Sequence, residues 1–228
     1  MKTLPLLLRR AALAACLVVA TSFAAFAAEP VATADWSADM AAFAAQDAAT
    51  PSAPDCVLFV GSSSIRLWKT LKEDFPGLPV VNRGFGGSQI ADALVHFDRL
   101  VLPHRPRLIV FYSGTNDIKA GKSPEQVGQD FELFCAKVHA ARPEARILFV
   151  SLQYAPARWN LREQMAAVNG AVEKFCAADP RRAFVDTNPA MLRADGTPDE
   201  SLYSADRLHM APAGYAVWTR LLVPLVSR

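Results

Sequence analysis

Four short stretches of the sequence carry side chains that could catalyse acyl transfer. Residues 61–64 (Gly-Ser-Ser-Ser) and 113–117 (Ser-Gly-Thr-Asn-Asp) each follow an apolar run, and residues 82–88 are rich in glycine. Residues 204–209 hold an aspartate and a histidine ahead of the last apolar segment. Together they supply a hydroxyl, backbone N–H donors, a carboxamide, a carboxylate and an imidazole, the groups that a serine nucleophile requires.

Each of these groups has a role in such chemistry. Serine is a weak nucleophile at neutral pH, and His209 can take its proton because imidazole titrates near neutrality. Asp206 lies three residues earlier, where it can fix the ring tautomer and stabilise the imidazolium. The side-chain N–H of Asn116 and the backbone N–H of Gly87 are candidate donors to an oxyanion.

Each stretch also has an interpretation that involves no chemistry. Residues 61–64 could be only a turn and a helix N-cap, and residues 114–117 a turn with an Asx cap. The glycines before Gln89 could form a flexible turn, and they fail as a dinucleotide fingerprint because Gln89 stands where the third glycine belongs. His209 could be a loop histidine. A single active site explains the four ordered stretches better than four coincidences.

The elements that must position these residues alternate along the chain. Apolar runs predict strands, and helical spacing with capping signals predicts helices. The predicted strands cover residues 56–60, 79–82, 108–112, 147–151 and 183–186, and the predicted helices cover 65–73, 90–100, 123–141, 161–178 and 212–226. This alternation predicts an α/β fold, a three-layer α/β/α sandwich around a five-stranded parallel sheet. The carboxyl ends of parallel strands meet at one edge, so we expect all four stretches to converge there.

The first part of the chain differs from this alternating region. Residues 1–27 combine a basic start, an Ala-rich apolar stretch and small residues before a cleavage point, which predicts a cleavable signal peptide and a periplasmic or secreted protein. The stretch is short for a stable membrane span. A lipoprotein box ending at Cys16 is the alternative, although the residues after Cys16 stay apolar. Residues 28–54 predict a helix and a linker, and residues 55–228 the main domain.

Composition excludes several classes of partner. The formal net charge of +2 becomes −1 once the three basic residues of the leader are removed, so no nucleic-acid surface is expected. The histidines show no metal-ligand spacing, and neither a metal nor another cofactor is predicted.

Cys56, Cys135 and Cys176 remain after cleavage. They allow at most one disulfide, whose pairing the spacing leaves open, or they are buried thiols.

The four stretches resemble the SGNH or GDSL hydrolases, and especially their platelet-activating-factor-acetylhydrolase-like bacterial members. The resemblance covers roughly residues 57–225, and the family name gives its invariant Ser, Gly, Asn and His. By motif, it implies Ser63 as the nucleophile, with Asp206 and His209 completing the triad. It also implies an oxyanion hole formed by Ser63, Gly87 and Asn116, and a flavodoxin-like fold.

One position departs from the family pattern. The first motif usually reads Gly-Asp-Ser, and Ser62 stands here at the Asp position. That Asp mainly supports the turn, so we expect activity to be retained. Ser64 is the alternative nucleophile, but it would need a shift of one residue relative to Gly61 and Trp68.

The sequence therefore predicts an exported serine esterase that acts on short acyl or acetyl esters of carbohydrates or lipids. The alternatives are a polysaccharide O-acetyltransferase and a non-catalytic binding module on the same scaffold. Two loops are candidates for substrate binding, residues 153–160 with Trp159 and residues 196–204 with Tyr203, and the alternative is that they are only packed loops. The sequence does not specify the natural ester or the oligomeric state.

Overall fold

A parallel sheet forms the centre of the computed structural model, which describes residues 30–227. Within those residues the sheet has five strands in the order β2-β1-β3-β4-β5. The strands are β1 (Cys56–Gly61), β2 (Val80–Gly84), β3 (Pro106–Tyr112), β4 (Arg146–Val150) and β5 (Arg182–Val185). This is the flavodoxin-like order. The leader and Cys16 lie outside the described residues.

The apolar strands are buried on both faces of the sheet. Because successive side chains of a strand point to opposite faces, Leu58 and Val60 join one core cluster, while Val57 and Phe59 join the other. All four side chains are fully buried. The predicted three-layer α/β/α sandwich is therefore confirmed.

The helices divide between these two faces. The α-helices are α1 (Ser37–Ala49), α2 (Ser63–Arg66), α3 (Leu71–Asp74), α4 (Ile90–Val95), α5 (Phe97–Leu100), α6 (Thr115–Lys119), α7 (Pro124–Ala141), α8 (Arg162–Ala177) and α9 (Pro212–Val226). One cluster contains residues of α1, α4, α5, α6, α7 and α8, and the other contains residues of α2, α3 and α9. Short 3₁₀ segments cover Pro156–Leu161, Asn188–Ala190 and Glu200–Leu202.

Two predicted helices are each divided in the structure. The helix predicted over residues 65–73 is replaced by α2 and α3, because the ring of Trp68 turns into the core and is 2% exposed. The Trp68 indole N–H and the Thr70 hydroxyl both donate to the Asp74 carboxylate, at 2.6 and 2.7 Å. The helix predicted over residues 90–100 is interrupted at His96, where ψ reaches 15°.

The segment before β1 packs on the sheet through α1. Met40 and Phe43 of α1 are buried, as their spacing predicts. Asp47 pairs with the guanidinium of Arg83, which is 3% exposed and therefore needs a counter-ion in the protein. The division of the chain after residue 54 stays a prediction, since this packing does not show where an independent domain begins.

Candidate active site

The candidate residues meet at the carboxyl edge of the sheet. Ser63 follows β1, Gly87 follows β2 and Asn116 follows β3. The chain leaves β1 toward one face of the sheet and β3 toward the other, which makes a crevice between these two strands. Ligands bind at this switch point in open α/β sheets.

Ser63 is the first residue of α2 and the one serine of the triplet that is partly exposed. Ser62 and Ser64 are 2% and 4% exposed, so their side chains face the protein. The turn requires glycine at position 61, because a Cβ there would lie 2.1 Å from the carbonyl oxygen of Tyr112. This close approach fixes where β1 ends and where the Ser63 hydroxyl emerges.

His209 lies between Ser63 and Asp206. Its Nε2 is 2.9 Å from the Ser63 hydroxyl oxygen, and its Nδ1 is 2.6 Å from Asp206 Oδ2. The other carboxylate oxygen accepts the backbone N–H groups of Leu208 and His209, both at 3.0 Å. The Leu208 N–H, with the His209 ring and N–H, lowers the pKa of Asp206 to about 2. Asp206 therefore stays ionised around neutral pH.

The loop that carries Asp206 and His209 is closed by its own backbone. Tyr203 and Met210 form an antiparallel bridge, and the N–H of Ser204 donates to the His209 carbonyl at 2.7 Å. Arg207 takes a left-handed conformation, with φ of 57°, between the two functional residues. The turn thus places the carboxylate and the ring on the same side.

Asn116 and Gly87 lie on adjacent loops. The Asn116 side-chain amide donates to the carbonyl of Ser88 at 2.9 Å, one residue after Gly87. Gly87 is exposed and has a φ of 91°, a conformation that side chains other than glycine rarely adopt. Ser63 N–H belongs to the first turn of α2, where N–H groups have no acceptor within the helix. The structure thus brings the predicted oxyanion residues to one edge.

A small cleft of about 10 Å³, room for roughly one water, opens beside these residues. Two of its polar side chains, Arg158 and Gln153, belong to the loop of residues 153–160 that the sequence predicts for substrate binding. Arg158 donates to the side-chain oxygen of Asn116 at 2.8 Å, and Gln153 is 3% exposed with its side-chain oxygen unpaired. Its lining comprises Ser63, Ser64, Tyr112, Thr115, Gln153, Ala155, Arg158, Leu208 and His209.

Trp159 and Tyr203 are not among the residues that line this cleft. The Trp159 ring is covered by the guanidinium of Arg162, whose central carbon is 4.9 Å from the ring centroid. Tyr203 is 6% exposed and belongs to the core cluster that contains α9. The predicted loop around Trp159 does reach the cleft, but through Gln153, Ala155 and Arg158. The sequence signal that could have identified Arg158 is its positive charge, because it is the basic residue of that loop.

A larger cavity lies elsewhere and contains none of the candidate residues. It measures about 580 Å³ and lies between the end of α1, the linker and the edge strand β2. Size alone would favour it, but the hydrogen-bonded serine and histidine lie at the smaller cleft.

Across residues 30–227, no group of three or more His, Cys, Asp and Glu side chains is placed to hold a metal. Helices in the same range are too short or too polar to span a membrane.

Comparison with known proteins gives consistent results. Residues 59–217 match the model of the GDSL-like Lipase/Acylhydrolase family. The chain is 32% identical over 178 residues to the platelet-activating factor acetylhydrolase IB subunit alpha1 of Pongo abelii, which covers 75% of each protein.

Solved structures share the fold at lower sequence identity. A putative platelet activating factor from Streptococcus pneumonia superposes with a TM-score of 0.76 at 20% identity, covering 83% of this chain and 92% of the other. A GDSL-like lipase from Bacteroides thetaiotaomicron gives a TM-score of 0.73 at 20% identity, covering 83% and 98%. The sheet described above is therefore the SGNH hydrolase fold.

Proposed function

The chain belongs to the GDSL-like lipase/acylhydrolase family and is an ester hydrolase, and we propose that it works through Ser63, His209 and Asp206. The observation that carries the proposal is the continuous chain of hydrogen bonds from the serine hydroxyl through the imidazole to the carboxylate. Family membership argues against the non-catalytic binding module considered from the sequence.

The proposed reaction begins when the Ser63 oxygen attacks the ester carbonyl carbon and His209 Nε2 takes the hydroxyl proton. The tetrahedral intermediate collapses as the C–O bond to the alcohol breaks, and the imidazolium returns the proton to the leaving oxygen. Water then attacks the acyl-enzyme with His209 as base, which releases the acid and restores Ser63. Asp206 stays ionised and stabilises the imidazolium in both halves.

The proposed oxyanion hole consists of three donors. The N–H groups of Ser63 and Gly87 and the side-chain amide of Asn116 would stabilise the negative oxygen of each intermediate. Removing one such donor typically lowers kcat by about 10²- to 10³-fold. We therefore expect Asn116→Ala to lose activity in this range.

The proposed substrates are short acyl or acetyl esters of a carbohydrate or a lipid. Two observations support a short acyl group: the cleft beside Ser63 is small, and the similar curated protein is named an acetylhydrolase. The alcohol part is not specified by these observations. Product analysis with a sugar acceptor present separates hydrolysis from acyl transfer, because a transferase would form more acylated sugar than free acid.

The test of the site uses p-nitrophenyl acetate and a fluorophosphonate that labels serine nucleophiles. Ser63→Ala and His209→Ala should each lower kcat by about 10⁴-fold or more. The label should attach to the wild type and to Ser64→Ala, and fail to attach to Ser63→Ala. Unchanged turnover by Ser63→Ala, or labelling of Ser64, would contradict the assignment.

We also propose that residues 1–27 direct export and are removed. The sequence pattern supports this, and its test is the mass of the protein recovered from the periplasm or medium. A mass that still includes the leader, or a lipid attached at Cys16, would contradict it.

A further inference from the structure

The contact between Arg158 and Asn116 determines which way the Asn116 carboxamide faces. Arg158 Nη2 donates to the side-chain oxygen at 2.8 Å, and the side-chain nitrogen donates to the Ser88 carbonyl at 2.9 Å. A guanidinium can only donate and a backbone carbonyl can only accept. The reversed amide would place donor against donor and acceptor against acceptor, so a single orientation is compatible with both partners.

This orientation leaves one amide hydrogen for the substrate. The Asn116 nitrogen carries two hydrogens, and the Ser88 carbonyl accepts one of them. A charged donor on the amide oxygen also draws electron density from the amide nitrogen, which makes its remaining N–H a stronger donor. Both effects serve a negative oxygen that forms at Ser63.

The segment that carries Arg158 is hydrogen-bonded to the loop of residues 204–209, which carries Asp206 and His209 and is called the histidine loop below. The N–H of Ala157 donates to the carbonyl of Arg207 at 2.9 Å, and the N–H of Arg158 donates to the Ala155 carbonyl at the same distance. Arg158 is half-buried, and burial lowers its pKa, but an arginine remains protonated in proteins. The positive charge is therefore held in a partly dry cleft, where electrostatic effects are stronger than in water.

We propose that Arg158 is a positioning residue of the ester hydrolase, which acts by orienting and polarising the Asn116 amide of the oxyanion hole. The inference rests on the proposed function, since it needs Asn116 to contact the reacting carbonyl. The oxyanion forms only after attack, so loss of the guanidinium should lower kcat and leave KM nearly unchanged.

The test is a double-mutant cycle with p-nitrophenyl acetate as the substrate. Arg158→Met removes the charge but keeps an unbranched side chain, and we expect it to lower kcat by about 10- to 100-fold. Asn116→Ala and the double variant should have kcat values within about twofold of each other, because Arg158 acts only through that amide. Arg158→Lys, which keeps a positively charged donor, should recover part of the loss.

Arg162→Met is the matched control. Arg162 is the first residue of α8, four residues after Arg158; its side chain is 41% exposed, and it pairs with the neighbouring Glu163. Its kcat and KM should equal those of the wild type. The unfolding midpoint of each variant shows whether it is folded. If Arg158→Met is unfolded, Arg158→Lys takes its place in the cycle.

Three results would overturn the inference. A further tenfold loss on adding Arg158→Met to Asn116→Ala would show that Arg158 acts independently of the amide. A raised KM with unchanged kcat would show that Arg158 binds the substrate itself, and no recovery by lysine would argue against a donor role. If Ser63→Ala and Asn116→Ala lose activity while Arg158→Met keeps it, this inference fails alone; if Ser63→Ala stays active, the proposed function fails.

Discussion

At the scale of single residues, Asp206 combines ionic character with exposure to solvent. Its side chain is 49% exposed, yet hydrogen bonds from Leu208 and His209 keep its pKa near 2. The same bonds hold the ring of His209 with Nε2 toward Ser63. The carboxylate thus has an orienting role that does not require burial.

This arrangement predicts the pH dependence of the reaction. The profile of kcat/KM against pH reports the ionisations of the catalytic base and of the groups around it in the free enzyme. Asp206 should add no second ionisation between about pH 4 and 8, since its pKa lies well below that range. Rates with p-nitrophenyl acetate across this interval test the prediction.

Asp206→Asn is the companion variant. It should lower kcat by about 10²-fold or more, but less than Ser63→Ala, because the amide no longer enforces the ring tautomer. A wild-type kcat for Asp206→Asn, or a second acidic ionisation in the profile, would contradict the role given to Asp206.

The sequence identified the residue types of the site better than their surroundings. The sequence singles out Ser63, Asn116, Asp206 and His209 as candidates because their motifs are local: each stretch is a few residues long. Arg158 was missed because its partner Asn116 is distant in sequence, and no periodicity indicates such a contact. The choice between Ser63 and Ser64 becomes clear only when burial is known.

At the scale of elements, a buried ion pair joins α6 to the loop before α7. Asp117 is fully buried, accepts the N–H of Ile90 at 3.2 Å and pairs with Lys122 at 2.9 Å. Burial raises the pKa of Asp117 although Lys122 opposes that shift. Burial would lower the pKa of Lys122, but its carboxylate partners Asp130 and Asp117 outweigh it and raise the pKa.

Removing the lysine should therefore cost stability in a pH-dependent way. Lys122→Met leaves the Asp117 carboxylate buried without its cation, and we expect a loss of about 3 kcal/mol in the free energy of unfolding at pH 8. Because the folded-state pKa of Asp117 lies above the unfolded value, protonation favours the folded state, and the loss should shrink at pH 5.

Urea unfolding at the two pH values measures this difference. Lys119→Met is the matched control, since Lys119 is an exposed cation of α6, and its substitution should change stability by less than about 0.5 kcal/mol. Equal losses for both lysine variants, or a loss that grows at acid pH, would contradict the prediction.

The elements themselves were predicted to different degrees. Strong signals located α9 to the residue and α7 within one residue, because Pro212 and Pro124 mark the first helical positions. The five strands were found within two residues at their ends. The break between α2 and α3 was not predicted, because the position of Trp68 depends on Phe59, Tyr215 and Trp218, its partners from other elements.

At the scale of the whole molecule, the packing of the protein buries all three cysteines of the described residues. Cys56, Cys135 and Cys176 are buried free thiols, which agrees with one of the two alternatives given by the sequence. Burial raises the pKa of each, to about 11 for Cys176. The reactive thiolate is therefore scarce and inaccessible in the folded state.

The burial of the three cysteines predicts how many thiols react rapidly with an aromatic disulfide reagent at pH 8. The chain without residues 1–27 should show no rapidly reacting thiol when folded and three in urea. Ser37→Cys, at the exposed start of α1, is the control and should add one rapid thiol. Fewer than three thiols in urea without a reductant would indicate that a disulfide forms in solution.

Because of how the histidine loop is held, the protein can lose activity without unfolding. Asp206 and His209 are held to each other within a few residues. Beyond the Tyr203–Met210 bridge that closes it, their loop meets the body of the protein at Ala157 and at Ser63. Detachment of residues 204–209 would carry base and carboxylate away together, while Tyr203 and Met210 stayed in their core cluster and the sheet persisted. Heat damage would then be reversible as long as the loop alone had moved, and the enzyme would regain turnover on cooling without having to refold.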